Sequence, residues 1–213
     1  MANAPNMQTS GPLVQQTVHV VEDDEQFRIS LIDQLESLGI HALGFDAALD
    51  FFSQASQDAG GCILLDVRLP DLNGIEFQKE LKTRGYDLPV VFMTAHGDVT
   101  TSVNAMKAGA VDFLPKPLQR HEVVEAIKTA FTIDRERQTQ RAYRKEILER
   151  AATLTPREVQ IIGLVVSGLM NKQIAFELGI SEIMVKLHRG RAMKKMRAAS
   201  LAELVRQFEY LSH

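Results

Sequence analysis

Short apolar runs alternate with helical patterns along residues 17–130. The runs have the length of buried strands, and the segments between them repeat apolar residues every three or four positions, as amphipathic helices do. This pattern predicts strands at 18–21, 41–45, 62–65, 89–93 and 111–114. It predicts helices at 26–38, 47–54, 74–83 and 99–108, and a fifth that begins near Arg120. Strands and helices in alternation indicate an α/β domain whose five-stranded, parallel, doubly wound sheet is covered by helices on both faces.

The rest of the chain has only helical patterns. No Pro or Gly occurs between Arg120 and Ala151, and Arg, Glu and Gln dominate 132–150, which predicts a long helix that leaves the first domain as a linker. A solvated spacer and a dimer-forming helix both fit this segment. The later helical pattern, an all-α domain of four helices, is interrupted at Gly168, Gly179 and Ser200. The predicted order is a disordered lead-in, a sheet domain, a helical linker and a helical domain, at 1–16, 17–131, 132–150 and 151–213.

Composition and charge narrow the class of protein. The single cysteine, Cys62, excludes an intramolecular disulfide, and neither a signal peptide nor an apolar stretch of membrane-spanning length is present. We therefore expect a cytoplasmic protein with no membrane partner. The net charge of −3 combines −9 over residues 17–130 with +2 over 131–150 and +4 over 151–213. This asymmetry favours nucleic acid as a partner of the second domain.

Acidic and polar residues collect at the predicted carboxyl ends of the strands, where sheets of this class bind ligands. They are Glu22, Asp23, Asp24, Asp66, Thr94 and Lys116. Carboxylates in one place repel each other and need a cation, and oxygen ligands with open positions suit Mg²⁺ (or Mn²⁺). Asp66 ends the central strand and is the expected nucleophile toward a phosphoryl group. The Thr94 hydroxyl and the Lys116 ammonium are suitable partners for the phosphoryl oxygens.

Residues 17–130 resemble the receiver domain of two-component response regulators, which has a flavodoxin-like fold. The resemblance rests on the acidic group followed by LLDVRLPDLNG (64–74), MTA (93–95) and AVDFLPKP (110–117). It implies phosphorylation of Asp66. It also implies that Mg²⁺ binds Asp23, Asp66, the backbone carbonyl of Arg68 and, directly or through water, Glu22. The switch and phosphoryl-binding positions fall on Thr94, Ala95, Phe113 and Lys116.

Three positions depart from the common receiver pattern. Glu22 stands where Asp is more usual, and Asp24 adds a third acid, so the acidic pair is either Glu22 with Asp23 or Asp23 with Asp24. Phe113 lacks the hydroxyl of the tyrosine found in many receivers. The Lys116–Pro117 peptide bond is cis in many members of the family.

The second domain contains a helix-turn-helix pattern, with a short helix at 171–178, a turn at Gly179 and a basic helix from Glu182. Residues 154–196 resemble the LuxR-type DNA-binding domain, and the chain as a whole is similar to FixJ/NarL-like regulators of the FixJ branch. Its second helix is expected in the major groove, with Val185, Ala192 and Met196 facing inward. The resemblance implies base contacts at Lys186, Leu187 and Gly190. Phosphate contacts are expected at Asn171, Lys172, Ser181, Arg189 and Lys194.

Together these features predict a transcription factor controlled by phosphorylation, not an enzyme, with slow self-dephosphorylation at most. A sensor histidine kinase would phosphorylate Asp66. This would change the face formed by the helix at 99–108, the fifth strand and the helix from Arg120. The receiver would then form a homodimer or release the DNA-binding domain. Two helix-turn-helix units would bind double-stranded promoter DNA and activate transcription with RNA polymerase.

Three alternatives remain at the level of sequence. A phosphohydrolase would need a second acid after the nucleophile, for which Asp71 is the candidate. A ligand-sensing regulator of the LuxR class would carry a larger and differently built sensor domain. A DNA-binding regulator that acts without phosphorylation would have a vestigial receiver, which the intact set of Asp23, Asp66, Thr94 and Lys116 disfavours.

Overall fold

The computed structural model describes residues 16–95, 103 and 105–211, apart from the side chain of Glu209. The chain divides into two compact units, Met1–Gln138 and Thr139–His213. Of the helix predicted at 99–108, residues 99–102 and 104 lie outside the described residues, and residues 103 and 105–107 are helical. Residues 1–15 of the predicted lead-in at 1–16 also lie outside the described residues.

The first unit is built on a parallel sheet with the strand order β2-β1-β3-β4-β5. The strands are β1 (Thr17–Val21), β2 (Ala42–Phe45), β3 (Gly61–Asp66), β4 (Val90–Thr94) and β5 (Asp112–Pro115). The helices between and after them are α1 (Glu25–Glu36), α2 (Ala48–Gln54), α3 (Gly74–Thr83) and α4 (Arg120–Ala152). The predicted α/β fold with a five-stranded parallel sheet is confirmed.

Each face of the sheet has its own hydrophobic core, because successive side chains of a strand point to opposite faces. In β3, Ile63 and Leu65 pack in one core, and Cys62 and Leu64 pack in the other. All four side chains are fully buried, which explains why this strand is a continuous apolar run in the sequence. Burial also raises the pKa of the Cys62 thiol, so this cysteine is an unreactive core residue.

The helix α4 is bound to the amino edge of the sheet. Its Asp134 is 1% exposed and accepts hydrogen bonds from the backbone N–H of Gly61 and from the side-chain amide of Gln138, both at 2.7 Å. One turn away, Arg137 donates to the backbone carbonyl of Asp87 at 2.9 Å and lies 3.1 Å from its carboxylate. The first part of the predicted linker therefore packs as part of the first unit.

The second unit contains the end of α4 followed by α5 (Pro156–Val166), α6 (Asn171–Leu178), α7 (Glu182–Met196) and α8 (Leu201–Glu209). The four helices predicted after residue 153 are thus present. The helix α5 begins with a capping box between Thr155 and Glu158, and Gly179 ends α6 in the left-handed conformation. The predicted inward positions Val185, Ala192 and Met196 are fully buried. None of the described helices, α4 included, is apolar enough over a sufficient length to cross a membrane.

Candidate functional site

The carboxyl edge of the sheet brings together residues from four strand ends. The strand β1 lies between β2 and β3, so the connection after β1 runs to one side of it and the later strands lie on the other side. A crevice opens at this point beyond the end of β1, where ligands bind in folds of this type. The side chains at or next to this crevice come from Glu22, Asp23, Asp66, Thr94 and Lys116. The sequence predicted all five.

Three carboxylates form a cluster in the crevice. One oxygen each from Glu22, Asp23 and Asp66 lie within 4.8 Å of one another. Asp24 has a different task, because its carboxylate accepts a hydrogen bond from the N–H of Phe27 at 3.0 Å and caps α1. The carboxylate cluster therefore contains Glu22 and Asp23, whereas Asp24 caps α1.

Lys116 bridges two of these carboxylates. Its ammonium lies 2.6 Å from Glu22 Oε2 and 2.7 Å from Asp66 Oδ1, and it stands 4.3 Å above the ring centre of Phe27. Burial opposes the charge on Lys116, but the hydrogen bonds to Asp66 and Glu22 outweigh it and raise the pKa of the lysine. Burial likewise raises the pKa of Glu22, against the effect of Lys116. The Glu22 side chain is one methylene group longer than that of aspartate, and its carboxylate forms a direct hydrogen bond with the Lys116 ammonium.

Each carboxylate oxygen of Asp66 has its own hydrogen-bond donor. Oδ1 faces Lys116, and Oδ2 accepts the backbone N–H of Arg68 at 2.6 Å. The residue is 6% exposed. Behind it the chain passes so closely that a Cβ added to Gly74 would lie 2.8 Å from the Asp66 carbonyl oxygen. The carboxylate is therefore oriented before any ligand arrives, as an efficient nucleophile requires.

The predicted switch positions lie at the ends of β4 and β5. Thr94 ends β4 and is 4% exposed, and its carbonyl accepts the backbone N–H of Lys116 at 2.6 Å. Ala95 follows it and is exposed. The ring of Phe113 is half-buried and lies 6.3 Å from that of Phe92. The Lys116–Pro117 bond is cis.

The charges of the crevice define what it can hold. Three carboxylates and one ammonium leave two negative charges, which a divalent cation would neutralise. Carboxylate and carbonyl oxygens are the ligands that Mg²⁺ and Mn²⁺ prefer. The residues present therefore fit such an ion, and an oriented carboxylate beside an ammonium group is suited to phosphoryl transfer.

Asp71 does not take part in the crevice. Its two carboxylate oxygens accept the backbone N–H groups of Ala48 at 3.3 Å and Leu49 at 3.0 Å, at the start of α2. The cap residue of that helix, Ala47, makes no side-chain cap of its own. Asp71 thus acts as the cap from another loop, a role that no local sequence signal indicates.

In the second unit, the predicted DNA contacts fall into two groups. Lys172, Lys186, Leu187, Gly190 and Lys194 are exposed. Ser181 accepts the N–H of Met184 and caps α7, and Asn171 accepts a hydrogen bond from Arg189 at 3.3 Å, so these three side chains also hold the motif together. Ser181 and Asn171 act as acceptors in these bonds, so the hydroxyl, the side-chain amide and the other N–H groups of Arg189 can still donate to a phosphate.

Two further exposed residues of α7 were not among the predicted DNA contacts. Ile183 and Arg191 lie four residues before and after Leu187, on neighbouring parts of the helix surface, and both are exposed. Their spacing of four residues from Leu187 is the sequence signal that places them beside this predicted base contact. Conversely, the basic residue Lys195 binds the buried carboxylate of Glu158 at 2.7 Å and serves the fold.

Comparisons with known proteins agree with this architecture. Residues 18–128 match the response regulator receiver domain, and residues 152–208 match the bacterial regulatory proteins of the luxR family. The chain is 44% identical over 194 residues to nodulation protein W of Bradyrhizobium diazoefficiens, which covers 91% of this chain and 86% of that protein. It is 43% identical over 189 residues to transcriptional regulatory protein FixJ of Azorhizobium caulinodans, with 89% and 90% covered.

Solved structures give the same result. The response regulator StyR has a TM-score of 0.78 at 42% identity, covering 92% of this chain and 98% of that one. Full-length FixJ from B. japonicum has a TM-score of 0.55 at 38% identity, covering 93% and 98%. The two resemblances noted in the sequence are therefore confirmed.

Proposed function

Because this chain belongs to the response regulators that combine a receiver domain with a LuxR-type DNA-binding domain, we propose that phosphorylation of Asp66 controls its binding to promoter DNA. The observation that carries the proposal is the Asp66 carboxylate, oriented by Lys116 and Arg68 beside two further carboxylates. The proposed domains are the receiver at 17–131, a helical linker at 132–150 and the DNA-binding domain at 151–213.

The proposed chemistry is the transfer of a phosphoryl group from a phosphohistidine of a sensor kinase. An oxygen of Asp66 forms the new bond to phosphorus, and the phosphorus–nitrogen bond breaks. The imidazole, protonated on its other ring nitrogen, leaves as a neutral ring. Asp23, Asp66, the carbonyl of Arg68 and, directly or through water, Glu22 would hold Mg²⁺, which would supply positive charge for the phosphoryl oxygens. Lys116 would exchange its bond with Asp66 for one with a phosphoryl oxygen.

The proposed output is a change of assembly. Thr94 and Ala95 bind the phosphoryl group, Phe113 turns inward, and the receiver forms a homodimer. Two helix-turn-helix units then bind paired half-sites, since symmetric dimers match symmetric sites. Contact with RNA polymerase would activate transcription. We propose that the protein acts in the cytoplasm, where bacterial transcription takes place. A turnover enzyme is disfavoured, because the carboxylate of Asp71 is already bound to the start of α2.

Sedimentation velocity of the full-length chain tests this proposal. With Mg²⁺ and beryllofluoride, a mimic of the phosphoryl group, wild type is expected to shift from monomer to dimer, and Asp66→Asn is expected to stay monomeric. The matched control is Asp24→Asn, which removes a carboxylate next to the crevice while asparagine still caps α1. This variant should dimerise as wild type does.

Two other outcomes would contradict parts of the proposal. If fluorine NMR shows that beryllofluoride and Mg²⁺ bind but no dimer forms, the dimerisation step is wrong. If wild type binds neither, the regulator works without phosphorylation.

A further inference from the structure

The outer face of α7 is apolar at the positions farthest from the core. Ile183 is 77% exposed and Leu187 is 43% exposed, although Val185 between them is fully buried. Because an α-helix turns by about 100° per residue, Ile183 and Leu187 both point within about 20° of the direction opposite Val185. Gly190 continues this stripe along the helix, within about 40° of the same direction.

Cations lie on both sides of this stripe. By the same helical geometry, Lys186 and Arg191 fall on opposite flanks of the line through Ile183 and Leu187, and both are exposed. Lys194 closes the stripe toward the end of α7. The surface is thus an apolar ridge with positive charge along its two sides.

The fold depends little on Gly190 and Ile183. A Cβ added to Gly190 would meet no atom within 4 Å, so the glycine is not needed for packing, and it weakens the helix relative to alanine. Ile183, at 77% exposure, buries little apolar surface on folding and so contributes little to stability. An explanation must therefore come from a surface that the ridge meets.

The major groove of DNA has the matching chemistry. Its two walls carry phosphates, which fit the flanking cations, and the thymine 5-methyl group is the apolar feature that base pairs display on its floor. We propose that Ile183 and Leu187 recognise thymine methyl groups, with Gly190 allowing the helix backbone to approach the bases. This inference rests on the proposed DNA binding and adds the kind of base that the helix selects.

Replacing thymine by uracil tests the inference, since uracil pairs identically but lacks the methyl group. Duplexes are first selected from a random library with the full-length chain, Mg²⁺ and beryllofluoride. Each thymine of the selected half-site is then replaced by deoxyuridine, and binding is measured by fluorescence anisotropy. We expect about a fourfold loss of affinity at each contacted thymine, as for the removal of one buried methyl group.

Variants assign the effect to the two side chains. In the double variant Ile183→Ala, Leu187→Ala, the thymine and uracil duplexes should bind with equal affinity. The matched control is Val159→Ala, which shortens a similarly exposed apolar side chain on α5 and should keep the fourfold preference. The uracil comparison on wild type needs no variant, so a folding defect cannot imitate its result.

The outcomes separate the two levels of the proposal. Sequence-specific binding that is equal for thymine and uracil at every position overturns the methyl recognition and leaves DNA binding intact. The absence of any sequence preference overturns the DNA-binding proposal together with this inference.

Discussion

Two buried aspartates lie at opposite ends of β3, and they bind different parts of the molecule. Asp66 ends the strand beside the ammonium of Lys116 and the carboxylates of Glu22 and Asp23. Asp134 reaches from α4 to the start of the same strand, where the N–H of Gly61 and the amide of Gln138 donate to it. Asp134 is the more deeply buried of the two, at 1% against 6% exposure.

The comparison shows that burial alone does not distinguish the carboxylate proposed for phosphorylation from one that connects parts of the fold. Around Asp66 negative charge exceeds positive charge, so the site gains free energy when a cation or a different donor arrives. Asp134 instead accepts from the backbone of β3 and from a side chain of its own helix, so these hydrogen bonds tie α4 to the start of the strand. The carboxyl edge is thus prepared for ligands, and the amino edge holds the fold together.

The largest effect is expected at Gly61, the donor to Asp134. Its φ is +121°, and an added Cβ would lie 1.9 Å from the carbonyl oxygen of Thr17. Gly61→Ala should lower the free energy of unfolding of the first unit by roughly 3–6 kcal/mol, from strain and overlap together. Urea titration of the full chain, with hydrogen exchange of β3 peptides as the probe, measures this loss.

Gly85 provides the control for that prediction. It also has a positive φ, +82°, but an added Cβ would meet nothing within 4 Å. Gly85→Ala should therefore show only the backbone strain, about 1 kcal/mol. Equal losses at the two glycines would show that the close contact with β1 is not what fixes this edge.

The second prediction compares the two aspartates directly. Asp134→Ala removes two hydrogen bonds to a charged group and leaves the N–H of Gly61 without this acceptor, so the free energy of unfolding should fall by about 3 kcal/mol. Asp66→Asn relieves repulsion among carboxylates while it weakens the bond to Lys116, so the change should stay below about 1 kcal/mol.

Mg²⁺ sharpens this second test. An ion that binds the folded state raises the midpoint of unfolding, and it should do so for wild type and Asp134→Ala but much less for Asp66→Asn. If Asp66→Asn destabilises the protein as strongly as Asp134→Ala, the proposed difference between the two edges is wrong.

The sequence predicted the carboxyl edge better than the amino edge, for a physical reason. Parallel strands end at one edge, so residues that follow apolar runs, such as Asp66 and Lys116, are brought together by the topology alone. Asp134 belongs to a helix that leaves the domain, and its partner Gly61 is 73 residues away. Nothing in a linear pattern shows which backbone N–H a helix passes, and the same holds for the cap that Asp71 supplies to α2.

His19 extends the comparison to pH. It lies on β1 at 3% exposure, 5.6 Å from the ring of Phe51, and burial lowers its pKa to about 4, against an opposing contribution from the backbone of Gly60. Below pH 6.5 His19 is protonated in the unfolded chain, whereas in the folded chain it stays neutral down to about pH 4. The free energy of unfolding therefore falls as the pH drops through this window. The loss should reach about 2 kcal/mol at pH 5.

The variant His19→Leu isolates this contribution. Carboxylates titrate in both proteins, so the difference between their unfolding free energies at pH 8 and pH 5 reports His19 alone. Wild type should lose about 2 kcal/mol more than the variant over that range. Parallel pH profiles would mean that the imidazole is hydrated or paired in the folded protein.

The smallest effect on stability is expected at Gly190. The fold needs a glycine at position 61 but not at position 190. It lies in α7 with open space around it, so Gly190→Ala should raise the free energy of unfolding by up to about 1 kcal/mol through helix propensity. The same methyl group would stand on the ridge between Leu187 and Lys194, and there it should weaken binding to the selected DNA. Gly163 is the matched control, because it is also exposed within a helix, with nothing within 4 Å of an added Cβ. Gly163→Ala should give a similar gain in stability without loss of DNA affinity, as measured by thermal unfolding and anisotropy on the same samples. If both variants bind DNA as wild type does, the backbone at Gly190 does not approach the bases, and the glycine is as dispensable for function as it is for the fold.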